Sequence, residues 1–262
     1  MIEINIDPVA FTVGSIEIMW YGIMIALGVT VMVLWTMWQA RKGANLTYEA
    51  VMTAALVGIP AGVIFSRLLH VIDRWDYYVH NLGQIIGGEG LTIYGAVLGA
   101  ALAVWIYSRF SNFRFTYAAD LIAPGILLAQ AIGRIGCLIN GCCYGTTTSL
   151  PWAIAYTHPN SLSFGVSGVH PTQVYEIIFL MIMFGVLLAL KDRLKPEGSL
   201  FLVYLIMYSA WRLGIGFLRT AEVYFISGLF SQAQIISLVV LALCIFLLVY
   251  RWRRRATEQL SG

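Results

Sequence analysis

Residues Tyr117–Gly145 read YAADLIAPGILLAQAIGRIGCLINGCCYG. The first part, Tyr117–Ile139, is an apolar run of the length needed to cross a hydrocarbon core, about 20 helical residues for about 30 Å. One cation, Arg134, stands near its end within G-R-I-G. An arginine in hydrocarbon costs roughly 2.5–3.5 kcal/mol on insertion scales, so it is kept only where an anionic group compensates it. The segment thus implies a membrane-spanning chain and marks Arg134 as a candidate site residue.

The rest of the chain agrees. Of 262 residues, 60% are hydrophobic and only 11% charged, with a mean hydropathy of +0.81, where a soluble domain carries about 25% charged residues. Six more runs join Tyr117–Ile139 as expected spans: Ile18–Trp38, Ala50–Ile72, Leu91–Tyr107, Thr172–Leu190, Ser199–Ile215 and Gln234–Tyr250. The segment Met1–Ile18 carries Glu3, Asp7 and Glu17 and no basic region, unlike a cleavable signal peptide. The first span is therefore expected to direct insertion. Between spans, Arg41, Lys42, Arg109, Arg114, Lys191, Arg193, Lys195, Arg251, Arg253, Arg254 and Arg255 fall on one side, against Arg74 and Arg219 on the other. The positive-inside rule then predicts an outside N-terminus and an inside C-terminus. The net charge of +3 follows from this topology, and nucleic-acid binding is not expected. No linker divides the sequence, so a single membrane domain is expected over 1–262. Its cap, about 140–171, contains no Lys, Arg, Asp or Glu. Gly58 with Gly62, and Gly95 with Gly99, have the spacing of close helix packing.

Three arginines lie within spans: Arg67, Arg134 and Arg212. The predicted topology brings all three toward the outer surface, together with Tyr21, Tyr94, His170, Gln173, Tyr175 and Glu176. Glu176 neutralises one cation, and Asp120 belongs to the opposite end. The positive surplus suits a lipid phosphate, which a planar guanidinium grips through paired hydrogen bonds.

Cys137, Cys142 and Cys143 form a C-x4-C-C group. A disulfide from Cys137 to one of the pair and free packing thiols are both open readings. Metal is not expected, because a fourth ligand is lacking and adjacent cysteines suit zinc poorly. Cys244, deep in the last span, reads as a packing residue.

G-R-x-G followed by N-G and a closing Gly, then H-P-T-Q-V-Y-E, then R-x6-R before a Q-x-x-S helix, resembles prolipoprotein diacylglyceryl transferase. The resemblance runs from Trp20–Gly22 to Gln234–Ser237. It implies seven transmembrane helices in the bacterial plasma (inner) membrane, a periplasmic head and an active site facing the outer leaflet. It further implies transfer of the diacylglyceryl group of phosphatidylglycerol to the lipobox cysteine of a prolipoprotein signal peptide, with no cofactor and a monomeric chain. Arg134 matches the signature arginine that contacts the lipid, Arg212 a second required arginine and Arg219 a supporting one. Tyr21, Asn140, Gly145 and Gln234 match positions around the lipid cavity. The chain departs from the usual signature at Cys137–Leu138 (Asn-Phe), Cys142 (Glu), Tyr94 (His) and Gly216 (an acid); the cysteine-containing signature and the tyrosine resemble one branch of the family.

The implied reaction needs a thiolate, while a free thiol has a pKa of about 8.5. Clustered arginines favour the thiolate and stabilise the departing phosphate. Arg134 is assigned to the phosphate, Arg212 to phosphate or thiolate, and Arg219 to the outer mouth. Arg67, Gln173 and Glu176 join the binding set. Tyr94 reads as a donor or proton relay. His170 reads either as a replacement base or as the polar start of a helix. A non-catalytic phospholipid-binding or transport protein is the alternative; a transporter would show a polar path through the midplane, whereas here the polar residues crowd near the outer face and the cytoplasmic halves are apolar. An intramembrane hydrolase lacks its motifs here, with no G-x-S-x-G and no paired intramembrane aspartates.

Overall fold

Among the described residues, seven helices of the computed structural model are long and apolar enough to cross a membrane, and the chain is a multi-pass membrane protein. The structure describes residues 1–41, 46–87, 90, 92–220, 224–226 and 230–260. Lys42, Leu91 and the side chain of Arg255 lie outside the described residues.

Three short strands, β1 (Ile2–Ile4), β2 (Val9–Val13) and β3 (Ile16–Met19), precede α1 (Trp20–Arg41). Next come α2 (Tyr48–Asp73), the short α3 (Trp75–His80) and α4 (Gln84–Gly87), and α5 (Ile93–Arg109). α6 (Phe115–Asn140) leads to β4 (Ile154–Tyr156), then α7 (Thr172–Leu190) and α8 (Ser199–Gly216). The strands β5 (Tyr224–Ile226) and β6 (Phe230–Ser231) pair before α9 (Gln232–Leu260). The seven long helices reproduce the expected spans, with Thr172–Leu190 unchanged. Ile18 is a correction: it was expected in the first helix and lies in β3, opposite Phe11 of β2. The hairpin holds the chain extended until Trp20, whose N–H donates to Pro8 O at 2.9 Å and starts the helix.

The chain divides into two compact units, Met1–Leu34 with Ala119–Gly262, and Trp35–Ala118. In the first unit, α6, α7 and α8 share an apolar core of Ala123, Leu127, Ala131, Leu180, Met183, Leu187, Leu200 and Tyr204. Leu202 of α8 packs with Leu248 and Cys244 of α9, the packing role expected for Cys244. At one end of this unit Asp120 accepts the N–H of Gly198 at 2.5 Å and of Phe201 at 2.8 Å, so a carboxylate of α6 caps α8. Asp120 thus belongs to the end opposite Arg134, as its sequence position suggests. At the other end, β4 in the 140–171 segment pairs in parallel with β1. Asp7 accepts from Asn160 Nδ2 at 3.2 Å. The N–H of Val9, followed by Asn160 and His158, holds the Asp7 carboxyl below the ordinary carboxylate range.

The second unit is built on α2 against α5. Thr47 Oγ1 caps α2 by accepting from Ala50 N at 3.2 Å. The glycine spacing has the expected packing role. A Cβ at Gly99 would lie 2.4 Å from Phe65 Cβ and 2.7 Å from Ala61 O, both on α2. Outward faces of both helices expose large apolar residues such as Leu56 and Leu98, as lipid-facing helices do.

Gly99→Val is expected to destabilise the protein by about 1–3 kcal/mol through overpacking. Gly185→Ala, where an added Cβ meets nothing within 4 Å, should leave stability unchanged. Thermal unfolding in detergent, followed by tryptophan fluorescence, distinguishes the two; equal midpoints would show that α2 and α5 do not need the close approach.

Candidate active site

The last two turns of α6 bring together what the sequence scatters. Arg134 Nη2 lies 2.8 Å from Glu176 Oε1 on α7. Glu176 is 2% exposed and the Arg134 side chain 17%, so this is the internal anionic partner that a cation in the span requires. Tyr208 of α8 donates its hydroxyl to the same Glu176 oxygen at 3.5 Å. Tyr208 also lies within electrostatic reach of Arg134 and Arg212, which ties Arg212 to this cluster. Arg134 Nη1 approaches Cys137 Sγ at 3.8 Å, one helical turn on.

Tyr21 enters from α1. Its Cα would be 3.2 Å from a Cβ at Gly136, and its hydroxyl is within electrostatic reach of Arg134 and of all three cysteines. After α6 the chain turns through Gly141 (φ 75) and Cys143 (φ 68). The start of α7 clamps this turn: Gln173 Nε2 donates to Cys142 O at 2.6 Å, and Thr172 Oγ1 to Cys143 O at 2.5 Å. Gln173 Nε2 also donates to the Tyr156 hydroxyl at 3.1 Å. Burial pushes the Tyr156 phenol up. Two buried acceptors at this end, Asn140 Oδ1 and Gln173 Oε1, have no hydrogen-bond partner among the described residues.

The three cysteines hold free thiols, their Sγ atoms all within 4.8 Å of one another. The neighbouring Cys137 and Cys142 thiols, reinforced by Arg219 and Arg134, hold the Cys143 thiol below the usual range. Cys142 is pushed up by the same sharing, with burial adding to it.

Other expected site residues have different occupations. Gly145 bridges Arg219, and a Cβ there would lie 2.7 Å from Leu218 O and 2.8 Å from His170 Cβ, so the position must stay bare. His170 Nδ1 lies 3.2 Å from the Tyr175 hydroxyl, which Trp152 Nε1 also reaches at 2.8 Å. Gln234 is 2% exposed and ties Leu213 O, at 3.2 Å, to Ser231 N, at 2.9 Å. It fills the space beside Gly216, where an added Cβ would meet the Gln234 amide at 2.8 Å. Arg67 belongs to the second unit, with hydrogen bonds to Ile85 O at 2.8 Å, Gly90 O at 2.9 Å and Gln84 O. Tyr94 opens α5 of that unit and is 39% exposed. The sequence reading missed Tyr208 and Thr172. Tyr208 looks like any span aromatic, and only its placement opposite Glu176 shows its part.

A double-mutant cycle over Arg134→Gln and Glu176→Gln is expected to give a coupling of about 1–3 kcal/mol in unfolding stability, because removing one partner strands the other in a low-dielectric setting. Additive effects would mean that the pair is as solvated as a surface ion pair.

The chain is similar in sequence to known proteins. The family described as prolipoprotein diacylglyceryl transferase matches residues 8–250. A protein of Dehalococcoides mccartyi named phosphatidylglycerol–prolipoprotein diacylglyceryl transferase is 51% identical over 256 residues, 97% of each chain. Proteins of the same name are 39% identical in Clostridioides difficile, over 89% of this chain and 90% of that one, and 35% identical in Listeria innocua, over 94% and 90%. A match of this length, spanning the α1 tyrosine, the α6 arginine and the α7 carboxylate, shows that the chain belongs to the prolipoprotein diacylglyceryl transferase family.

Proposed function

We propose that this protein transfers the diacylglyceryl group of phosphatidylglycerol to the thiol of a prolipoprotein's lipobox cysteine, the first step of bacterial lipoprotein maturation. The relatives' names point to these two substrates. The observation that carries the reading onto this chain is the Arg134–Glu176 pair at the end of α6, beside Tyr21 and within reach of Tyr208. A guanidinium with one edge anchored by a carboxylate keeps further donors for a phosphate, in fixed orientation.

The substrate thiolate attacks glycerol C3 of the lipid. The C–S bond forms as the C3–O bond breaks, and glycerol phosphate leaves with the electron pair. Arg134 stabilises charge on that phosphate, joined by Arg212, while Arg219 lines the outer mouth. Asn140 Oδ1 and Gln173 Oε1 suit hydroxyl donors of the glycerol headgroup, since each is buried with an open acceptor. Tyr94 serves as donor or proton relay. His170, set against Tyr175, suits the helix-start reading better than that of a base.

The basic-loop pattern supports an outside N-terminus with the site facing the outer leaflet of the inner membrane. We take the chain to be one membrane domain working as a monomer. The non-catalytic alternative has no observation of its own in its favour. Incubating purified protein with phosphatidylglycerol and a lipobox peptide, then weighing the peptide, decides between them: transfer adds one diacylglyceryl group, and a lipid-binding protein adds nothing.

Arg134→Lys is expected to lower kcat/KM by at least about 100-fold, or roughly 2.7 kcal/mol, in a protein that still unfolds cooperatively. Lysine supplies charge without the planar two-point contact; near-normal turnover would mean that charge alone suffices. Tyr94→Phe should lower kcat by about tenfold or more with lipid binding retained. A loss confined to KM would reduce the hydroxyl to a binding group.

A further inference from the structure

The cysteine trio is left unused by the proposed function, and its geometry is not that of packing residues. Cys137 ends one side of the cluster on the last turn of α6, while Cys142 and Cys143 come from the turn beyond. Adjacent cysteines normally diverge, which argued against metal in the sequence. Here the left-handed Cys143 (φ 68) turns the pair so that both thiols meet Cys137, all three Sγ atoms lying within 4.8 Å. The backbone that holds them is fixed from outside: Gln173 Nε2 donates to Cys142 O and Thr172 Oγ1 to Cys143 O. Such carbonyl clamps are the outer-shell support that orients ligands. Zinc–thiolate bonds of about 2.3 Å set sulfurs about 3.8 Å apart in a tetrahedron. Drawing the three atoms in by less than about 1 Å, within side-chain rotation, therefore builds three corners of a tetrahedral site.

We propose that Cys137, Cys142 and Cys143 bind one thiophilic divalent cation, of which Zn²⁺ is the natural example, with a fourth position taken by the substrate thiol. This deepens, and rests on, the transferase reading of the same site. Three thiolates are soft ligands that select such ions over hard ones. Three protein ligands with one open position is the arrangement of catalytic rather than structural zinc. Cys142 and Cys143 are only half-buried, leaving an approach for ion and substrate. Arg134, 3.8 Å from Cys137 Sγ, offsets the negative charge of the assembled site.

The chemistry balances without any change of oxidation state. The incoming thiol binds the cation as thiolate and gives its proton to water. The bound sulfur then displaces glycerol phosphate from C3, and the neutral thioether, a weak ligand, leaves the cation with its three cysteines. A coordinating thiol is deprotonated outright, which supplies the nucleophile in a chain whose position 94 is tyrosine rather than histidine.

The test uses the whole protein in detergent under reducing conditions. Elemental analysis is expected to find one zinc per chain. Stripping with a chelator and reloading with Co²⁺ should produce sulfur-to-cobalt charge-transfer absorption, weakened in Cys143→Ser and unchanged in Cys244→Ser. Adding a lipobox peptide without lipid should shift the cobalt visible bands, and a peptide with serine for cysteine should not. Chelation of the wild-type protein, which needs no variant to fold, should lower transfer at least tenfold, with recovery on adding Zn²⁺. Full activity after chelation, no bound metal in reduced protein, or a Cys137 disulfide found by mass analysis would each overturn the metal site and leave the transferase reading standing. Metal binding with the peptide-induced shift, but no mass gain on the peptide when phosphatidylglycerol is added, would support the thiol-binding site and overturn the transferase reading instead.

Discussion

A guanidinium set into an apolar helix needs an anion at hand, and the Arg134–Glu176 pair supplies it at 2.8 Å. Much at this end of the first unit follows from that requirement. α6 and α7 must come close enough for the pair to form, so their facing surfaces carry small and interlocking residues such as Ala123, Ala131 and Leu180. Tyr208 gives Glu176 a second contact from α8. A buried carboxylate with one arginine and one phenol leaves the arginine's outer edge as the part able to meet a further anion.

The 140–171 segment is organised around the same point. Thr172 and Gln173, at the first turn of α7, hold the carbonyls of Cys142 and Cys143. Glu176, one turn later, holds Arg134. One helix start therefore fixes both the cation and the cysteine turn. β4 adds the pairing with β1 that fastens the first residues of the chain across the same end. Three of the four departures from the usual family signature belong to the first unit, and two of them are the cysteines that meet beside Arg134. The third, Gly216, lies where the Gln234 amide occupies the space an acid's side chain would need.

The seven spans were legible because hydrocarbon accepts only continuous apolar helices, and composition alone marks such runs. Arg134, Glu176 and Asp120 stood out for the same reason, each being costly in a span. The short α3, α4 and the strands before α1 were not legible, since three to six residues carry too little periodicity to separate them from a loop. Arg67 was read as a ligand group from its charge within a span, and Gln234 from the family resemblance. The structure gives both of them carbonyl or amide partners within the protein, which polarity and motif alone do not show.

By itself the sequence determined that this protein crosses the membrane, how many times, and which cation in its fourth span demands an anionic partner. It did so because transfer into hydrocarbon penalises each charge separately, so every exception is visible in one dimension. Only the tertiary structure decided that the partner is Glu176 from α7, that Tyr208 joins it, and that three cysteines spaced for divergence converge. Those are distances between side chains on different helices, and they depend on how α7 docks against α6 and on one left-handed residue, Cys143, that no spacing rule predicts.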